Sequence, residues 1–226
     1  MLIETYTFQP VKILQIVRES PRAVSIEVER PENYVFQSGQ HAIVRVALPD
    51  GTRLVRQYSF SAAPNAENLW FTIVQQDTGE VSTWFNTTAT TSDIIEISPP
   101  FMGPLVQKIP RGNICMIAGG SGIAPLMSHL RALRDADTPY TVTLLYSTRL
   151  DEQCFKNELV ARGAHETIIP RLTDSASRFT GEEITRELTS NTHVYICGSR
   201  SFVLSMRHEC EKIVQPDHIY SEAFTL

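Results

Sequence analysis

The chain has no apolar run near the ~18 residues that a membrane-spanning helix needs. Its first residues, Met1-Leu2-Ile3-Glu4-Thr5-Tyr6, carry no basic region followed by an apolar core, so a secretory leader is not expected. Cationic excess is missing as well. The net charge of −5 argues against nucleic acid as a partner. Cys115, Cys154, Cys197 and Cys210 are far apart, and neither Cys-x-x-Cys nor His-x-x-x-His occurs. That spacing fits no zinc knuckle or iron–sulfur loop, so no metal is expected. Reduced thiols and a cytoplasmic location are the default for such a chain. Internal repeats and low-complexity segments are also missing.

What is present is an ordinary globular composition, 42% hydrophobic over 226 residues, enough for one large or two small domains. The first part reads as β. Strands are expected at Val11–Arg18, Ala23–Glu29, Ala42–Leu48, Arg53–Ser61, Leu69–Gln75 and Ile94–Ser98, with a short helix over 81–86. Turns at Pro49-Asp50-Gly51 and Ala63-Pro64-Asn65 separate them, which predicts an antiparallel barrel or sandwich. Beyond the proline- and glycine-bearing stretch 105–112 the rhythm changes. Strands at Ile114–Ala118, Tyr140–Tyr146, Glu166–Pro170, His193–Cys197 and His218–Ser221 alternate with helices near 123–135, 152–161, 181–189 and 200–213. That is the βαβ pattern of a five-stranded parallel sheet covered on both faces. The expected domains are 1–108 and 109–226.

The second part opens on Gly119-Gly120-Ser121-Gly122-Ile123-Ala124-Pro125, between a strand and a helix. Such a turn points backbone N–H groups at an anion, and a side chain there would hold a phosphate away from them. Pro125 suits a first helical turn. No Gly-Lys-Ser/Thr follows, so this is not an ATPase loop. In the first part, Arg56, Tyr58 and Ser59 offer a cation, an aromatic face and a hydroxyl at one strand end. On a regular strand Arg56 and Tyr58 share a face and Ser59 takes the other.

Taken in order, Phe36-x-x-Gly39-Gln40, Arg56-x-Tyr58-Ser59, Gly79-Glu80-Val81-Ser82, Gly119–Pro125, Cys197-Gly198-Ser199 and Glu222-Ala223-Phe224 resemble the motifs of the ferredoxin–NADP reductase family over nearly the whole chain. Serine stands for the family's threonine at Ser121, and for its proline at Ser199. The resemblance implies a two-domain α+β protein: an FAD-binding antiparallel β-barrel followed by an NAD(P)-binding, Rossmann-like five-stranded parallel sheet. It implies FAD contacts from Arg56, Tyr58, Ser59, Gly79, Val81, Ser82 and Phe224, and nucleotide contacts from Gly119, Gly120, Ser121, Gly122, Pro125, Cys197 and Gly198. Ser59, Cys197 and Glu222 are the implied catalytic residues.

The implied activity is hydride transfer from NADH or NADPH to FAD. No iron–sulfur or globin segment follows Leu226, so electrons are expected to pass to a separate ferredoxin, flavodoxin or oxygenase component. A reductase of free flavin or ferric complexes, and a non-catalytic FAD-binding electron-transfer subunit, are the alternatives. After the second strand of the α/β part come Ser147, Thr148 and Arg149, and Arg171 follows the third. Cations and hydroxyls there favour a 2′-phosphate, giving an expected modest preference for NADPH. Asp151, Glu152 and Glu182 stand close enough in sequence to pair with those arginines.

Overall fold

The computed structural model describes residues 7–48, 50–107, 112–136 and 139–224. The expected domain boundary at 108/109 lies outside them.

Six strands make the first sheet: β1 (Gln9–Ser20), β2 (Ala23–Val28), β3 (His41–Ala47), β4 (Arg53–Ser59), β5 (Leu69–Val74) and β6 (Ile94–Ile97). They are antiparallel, in the order β4-β3-β6-β1-β2-β5. The edges meet. Phe60 bridges Phe71, and the Ser61 N–H donates to the Trp70 carbonyl at 2.8 Å, closing the sheet into a barrel. Closure satisfies two strand edges that would otherwise stay open. Alternating side chains fill the interior, among them Val24, Ile26 and Val28 from β2. The rings of Phe36, Phe60 and Phe71 stack through it at 4.3 and 5.1 Å. Each such ring, fully buried, stabilises the fold by about 1.5–3 kcal/mol. Helix α1 (Glu80–Thr87) covers one mouth with Val81, Trp84 and Phe85.

The second sheet is parallel: β7 (Gly112–Gly119), β8 (Tyr140–Thr148), β9 (Glu166–Leu172), β10 (His193–Ser199) and β11 (Ile219–Phe224), ordered β11-β10-β7-β8-β9. Successive residues of β7 serve opposite faces. Ile114, Met116 and Ala118 pack under α2 (Ile123–Asp135), whereas Cys115 and Ile117 pack against α4 (Gly181–Arg186) and α5 (Arg200–Cys210). Two-sided burial explains why these strands read as continuous apolar runs. The chain order reverses between β7 and β10, and ligands of such sheets sit at the carboxyl ends of the strands there. Among the described residues no helix is long and apolar enough to cross a membrane.

Three elements depart from expectation. The helix expected over 152–161 is only α3 (Lys156–Val160), preceded by a single 3-10 turn, Leu150–Glu152. The barrel holds this segment: the Asp151 carbonyl accepts from the Arg22 N–H at 2.8 Å and the Ser20 hydroxyl at 2.9 Å, and Glu19 accepts from the Phe155 N–H at 2.8 Å. Phe155 takes a left-handed φ of 58° as a result, which a helix does not allow. Helix α4 ends at Arg186 rather than 189, with Thr180 and Glu183 forming a capping box at its start. Strand β11 runs on to Phe224, three residues past the expected end, and so takes Glu222 and Phe224 into the sheet.

Candidate active site at the domain junction

The Gly119–Gly122 turn stands at the carboxyl end of β7, next to Cys197-Gly198 at the carboxyl end of β10. The two backbones touch. A Cβ on Gly122 would lie 2.2 Å from the Cys197 carbonyl oxygen, so only glycine lets the strands and the turn approach this closely. Gly119 and Gly198 make room for the Phe202 ring, which would meet their Cβ atoms at 2.9 and 2.8 Å. Gly120 has φ 53° and open space beside it. Ser199, in place of the family's proline, caps α5 by accepting the Phe202 N–H at 3.4 Å.

In the sheet register Cys197 lies between Ala118 of β7 and Glu222 of β11. Its thiol is fully buried, and burial first, then the Glu222 charge, hold it well above the ordinary thiol range. It is a neutral S–H, which suits packing and guiding rather than nucleophilic attack. Burial also raises Glu222, whose Oε2 is buried and has no hydrogen-bond partner among the described residues. That carboxyl reaches the barrel: a Cβ on Gly103 would sit 3.1 Å from its Oε1. An orphaned, buried carboxyl with a raised pKa at a domain seam is where a ligand or a proton path is expected.

A crevice opens beside these strand ends. Gly119, Gly120, Ser121, Ser147, Arg149 and Phe224 line it from the sheet, and Val74 and Gln76 from the barrel. Gln76 belongs to the turn that starts α1. Its N–H donates to the Ser82 hydroxyl at 3.0 Å, which donates to the Gly79 carbonyl at 2.9 Å. Gly79 is tight, since a Cβ there would meet the Ser82 Oγ at 2.5 Å. The Val81 side chain is barrel core, so Val81 and Ser82 offer a ligand only their N–H groups at the helix start. Gln76 and the Gly119–Ser121 turn therefore line the same crevice, and the Gly79–Ser82 turn adjoins it through the Gln76–Ser82 bond.

Arg56, Tyr58 and Ser59 lie outside the crevice on β4, with Arg56 exposed and Ser59 buried. Among the described residues the Arg56 guanidinium bonds only the neighbouring Val55 carbonyl, at 2.8 Å, which leaves donors to spare there. The Tyr58 ring meets Phe85 of α1 edge-on at 6.0 Å, which ties this strand to the Gly79–Ser82 turn. These residues fit a large phosphate-bearing aromatic ligand: a free cation, a ring face and a helix start on one side of the barrel.

At the far end of the crevice the arginines divide. Arg149 pairs with Glu152 and, at 3.7 Å, with Asp151. Arg171 pairs with Glu183 at 2.6 Å, lies over the Phe179 ring, and is not among the crevice lining. Arg178, which no sequence motif marks, lines the crevice beside Thr148 and Thr173 and makes no ion pair among the described residues. Arg171 also bonds the Ser177 carbonyl at 3.1 Å, bracing the residue before Arg178. The buried Ser147 hydroxyl has no partner among the described residues either.

A closed antiparallel barrel followed by a five-stranded parallel sheet is the two-domain fold of the ferredoxin–NADP reductase-like proteins, and this chain has that fold. Residues 116–208 match the oxidoreductase NAD-binding domain family. A ferredoxin NADP+ reductase from Neisseria gonorrhoeae, solved with FAD and NADP, superposes with a TM-score of 0.82 at 25% identity, over 96% of this chain and 98% of that one. Among curated relatives, the flavohemoprotein of Bacillus subtilis is 25% identical over 96% of this chain and 59% of its own length. The carnitine monooxygenase reductase subunit of Escherichia coli is 26% identical over 84% of this chain and 60% of its own length. The chain thus spans about three-fifths of the length of these curated relatives.

Proposed function

We propose that this chain is an FAD-dependent oxidoreductase that moves electrons between NADH or NADPH and a separate acceptor, such as a ferredoxin, a flavodoxin or an oxygenase component. The observation that carries this reading is the crevice between Val74 and Gln76 of the barrel and the Gly119–Ser121 turn of the sheet, lined also by Phe224, two residues beyond the orphaned acid Glu222. In this reading residues 1–108 hold FAD and residues 109–226 hold the nicotinamide nucleotide. A cytoplasmic setting goes with it, supported by four buried cysteines that form no disulfide.

A flavin bound there would accept two electrons as hydride from a reduced nicotinamide and release them singly. The protein supplies orientation. Arg56 and the N–H groups of Val81 and Ser82 neutralise the FAD diphosphate, and Gly79 keeps that turn tight. Tyr58 gives its ring face to the isoalloxazine, and Ser59 gives a hydroxyl at the strand end. Gly119, Gly120, Ser121 and Gly122 cradle the nucleotide pyrophosphate, with Pro125 fixing the first helical turn behind them. Cys197, neutral and buried, shapes the nicotinamide seat with Gly198. Glu222 places a carboxyl of raised pKa beside that seat, and Phe224 covers it until the nucleotide enters. Arg149 and Arg178 serve the adenosine end, with Arg171 bracing the loop that carries Arg178, which supports a modest preference for NADPH.

The test is direct. The purified chain should show a flavin absorption spectrum, release FAD on heating, and bleach on anaerobic titration with NADPH and NADH. FMN as the sole flavin, or no flavin bound after reconstitution, would overturn the reading.

A further inference from the structure

The helix that begins at the nucleotide turn is fastened to the strand that carries Ser59. Within α2, three nearly consecutive side chains each bond a main-chain carbonyl of the barrel or of the stretch that connects it to the sheet. The Ser128 hydroxyl donates to Ala62 at 2.6 Å, His129 Nε2 to Leu105 at 2.9 Å, and Arg131 Nη1 to Ser61 at 2.7 Å. In return, the Ser38 hydroxyl donates to the Ser128 carbonyl at 3.1 Å. Ser61, Ala62, Leu105, Ser128 and His129 are all at most 3% exposed. Burial holds His129 near a pKa of about 4, so it stays neutral with its donor on Nε2. Glu158 grips the remaining guanidinium nitrogens of Arg131, fixing its direction.

Ordinary domain seams are polar and yielding. This one is bonded at both ends of a short path, with the Ser128 and His129 contacts buried: Ser59 lies two residues before Ser61, and Gly122 directly precedes α2. A helix of 13 residues does not bend over that span, so it transmits position.

We infer that Ser128 and Arg131 are positioning residues, which set the separation of flavin and nicotinamide by bolting the nucleotide helix to the segment after Ser59. The inference rests on the functional reading above. Neither side chain lines the crevice; each acts through the main chain of Ser61–Ala62. Misplacing reacting groups by an ångström slows transfer by up to about a hundredfold, whereas affinity for each partner is set locally.

The experiment uses the FAD-loaded full chain with Ser128→Ala and, separately, Arg131→Met. Four quantities are read: FAD content, affinity for the oxidised nucleotide, the long-wavelength charge-transfer absorbance of the mixed complex, and the rate of flavin reduction in stopped flow. The expected result is a reduction rate lowered about ten- to hundredfold with a weakened charge-transfer band, while FAD content and nucleotide affinity stay within about twofold. Faster hydrogen exchange of amides 59–62 in the variants should accompany it. Reduction at the parental rate in the FAD-bearing fraction of both variants would overturn the inference, even if their melting temperatures fall. Failure of either nucleotide to reduce the parent's flavin would instead overturn the functional reading and this inference with it.

Discussion

At the scale of single residues, the site depends on what is not there. Gly122 lacks a Cβ because the Cys197 carbonyl occupies its place, 2.2 Å away. Backbone cannot rotate aside as a side chain does, so Gly122→Ala must push β7 and β10 apart. We expect it to cost about 1–3 kcal/mol or more in chemical denaturation. Gly120→Ala meets open space and carries only the cost of its φ of 53°, so it should be the milder change. Equal midpoints for the two variants would show that the approach is not close.

Glu222 makes a prediction of opposite character. Burial lifts its pKa in the folded chain, so folding is favoured by protonation. Its contribution to stability is therefore best at low pH and declines as pH rises from the ordinary carboxylate range through the raised folded value. Glu222→Gln has no charge to desolvate. Its melting temperature should exceed the parent's at about pH 8, and the gap should close towards about pH 4. A gap independent of pH would mean the carboxylate is solvated.

At the scale of elements, loops decide which cation meets the adenosine end of a nucleotide. The turn after β8 carries Arg149, but the 3-10 turn that follows places Glu152 and Asp151 against it. The loop between β9 and α4 carries Arg178, which makes no ion pair among the described residues. A 2′-phosphate would have to displace Arg149 from its acids, whereas Arg178 has no ion pair among the described residues to give up. Arg178→Ala should raise the KM for NADPH about tenfold or more, as for the loss of a charge-assisted bond, and leave that for NADH nearly unchanged. Arg149→Ala should do less. A larger effect at Arg149, or equal effects on both nucleotides, would reverse this assignment.

At the scale of the molecule, the two domains share a core. Ala23 and Val74 of the barrel, with Leu105 of the connecting stretch, pack in the cluster that also holds Met116, Leu126 and Tyr146 of the parallel sheet. Bonds from Arg22, Ser20 and Glu19 to residues 151 and 155 add a second attachment. Unfolding either domain alone would uncover the cluster where Ala23, Val74 and Leu105 meet the parallel-sheet residues. The chain should therefore melt in one cooperative transition, with calorimetric and van't Hoff enthalpies equal. Two resolved transitions would show that the junction contributes little.

The sequence by itself determined the two-part architecture and the glycine turns. Alternation in Ala23–Glu29 and the apolar run Ile114–Ala118 are local consequences of burial on one face or two, so they are legible without neighbours. Glycines 119, 120 and 122 are legible for the same reason, since their need is steric and their spacing fixed. The tertiary structure alone decided the rest. Glu222 joins Cys197 because β11 continues three residues beyond its apolar pattern, held by pairing with β10. The helix expected over 152–161 is cut short because the barrel bonds Asp151 and Phe155. Arg178 enters the crevice on a loop with no periodicity at all. The Ser128–His129–Arg131 contacts join residues 24 to 90 positions apart, and no local pattern in a helix announces which carbonyl its polar side chains will find.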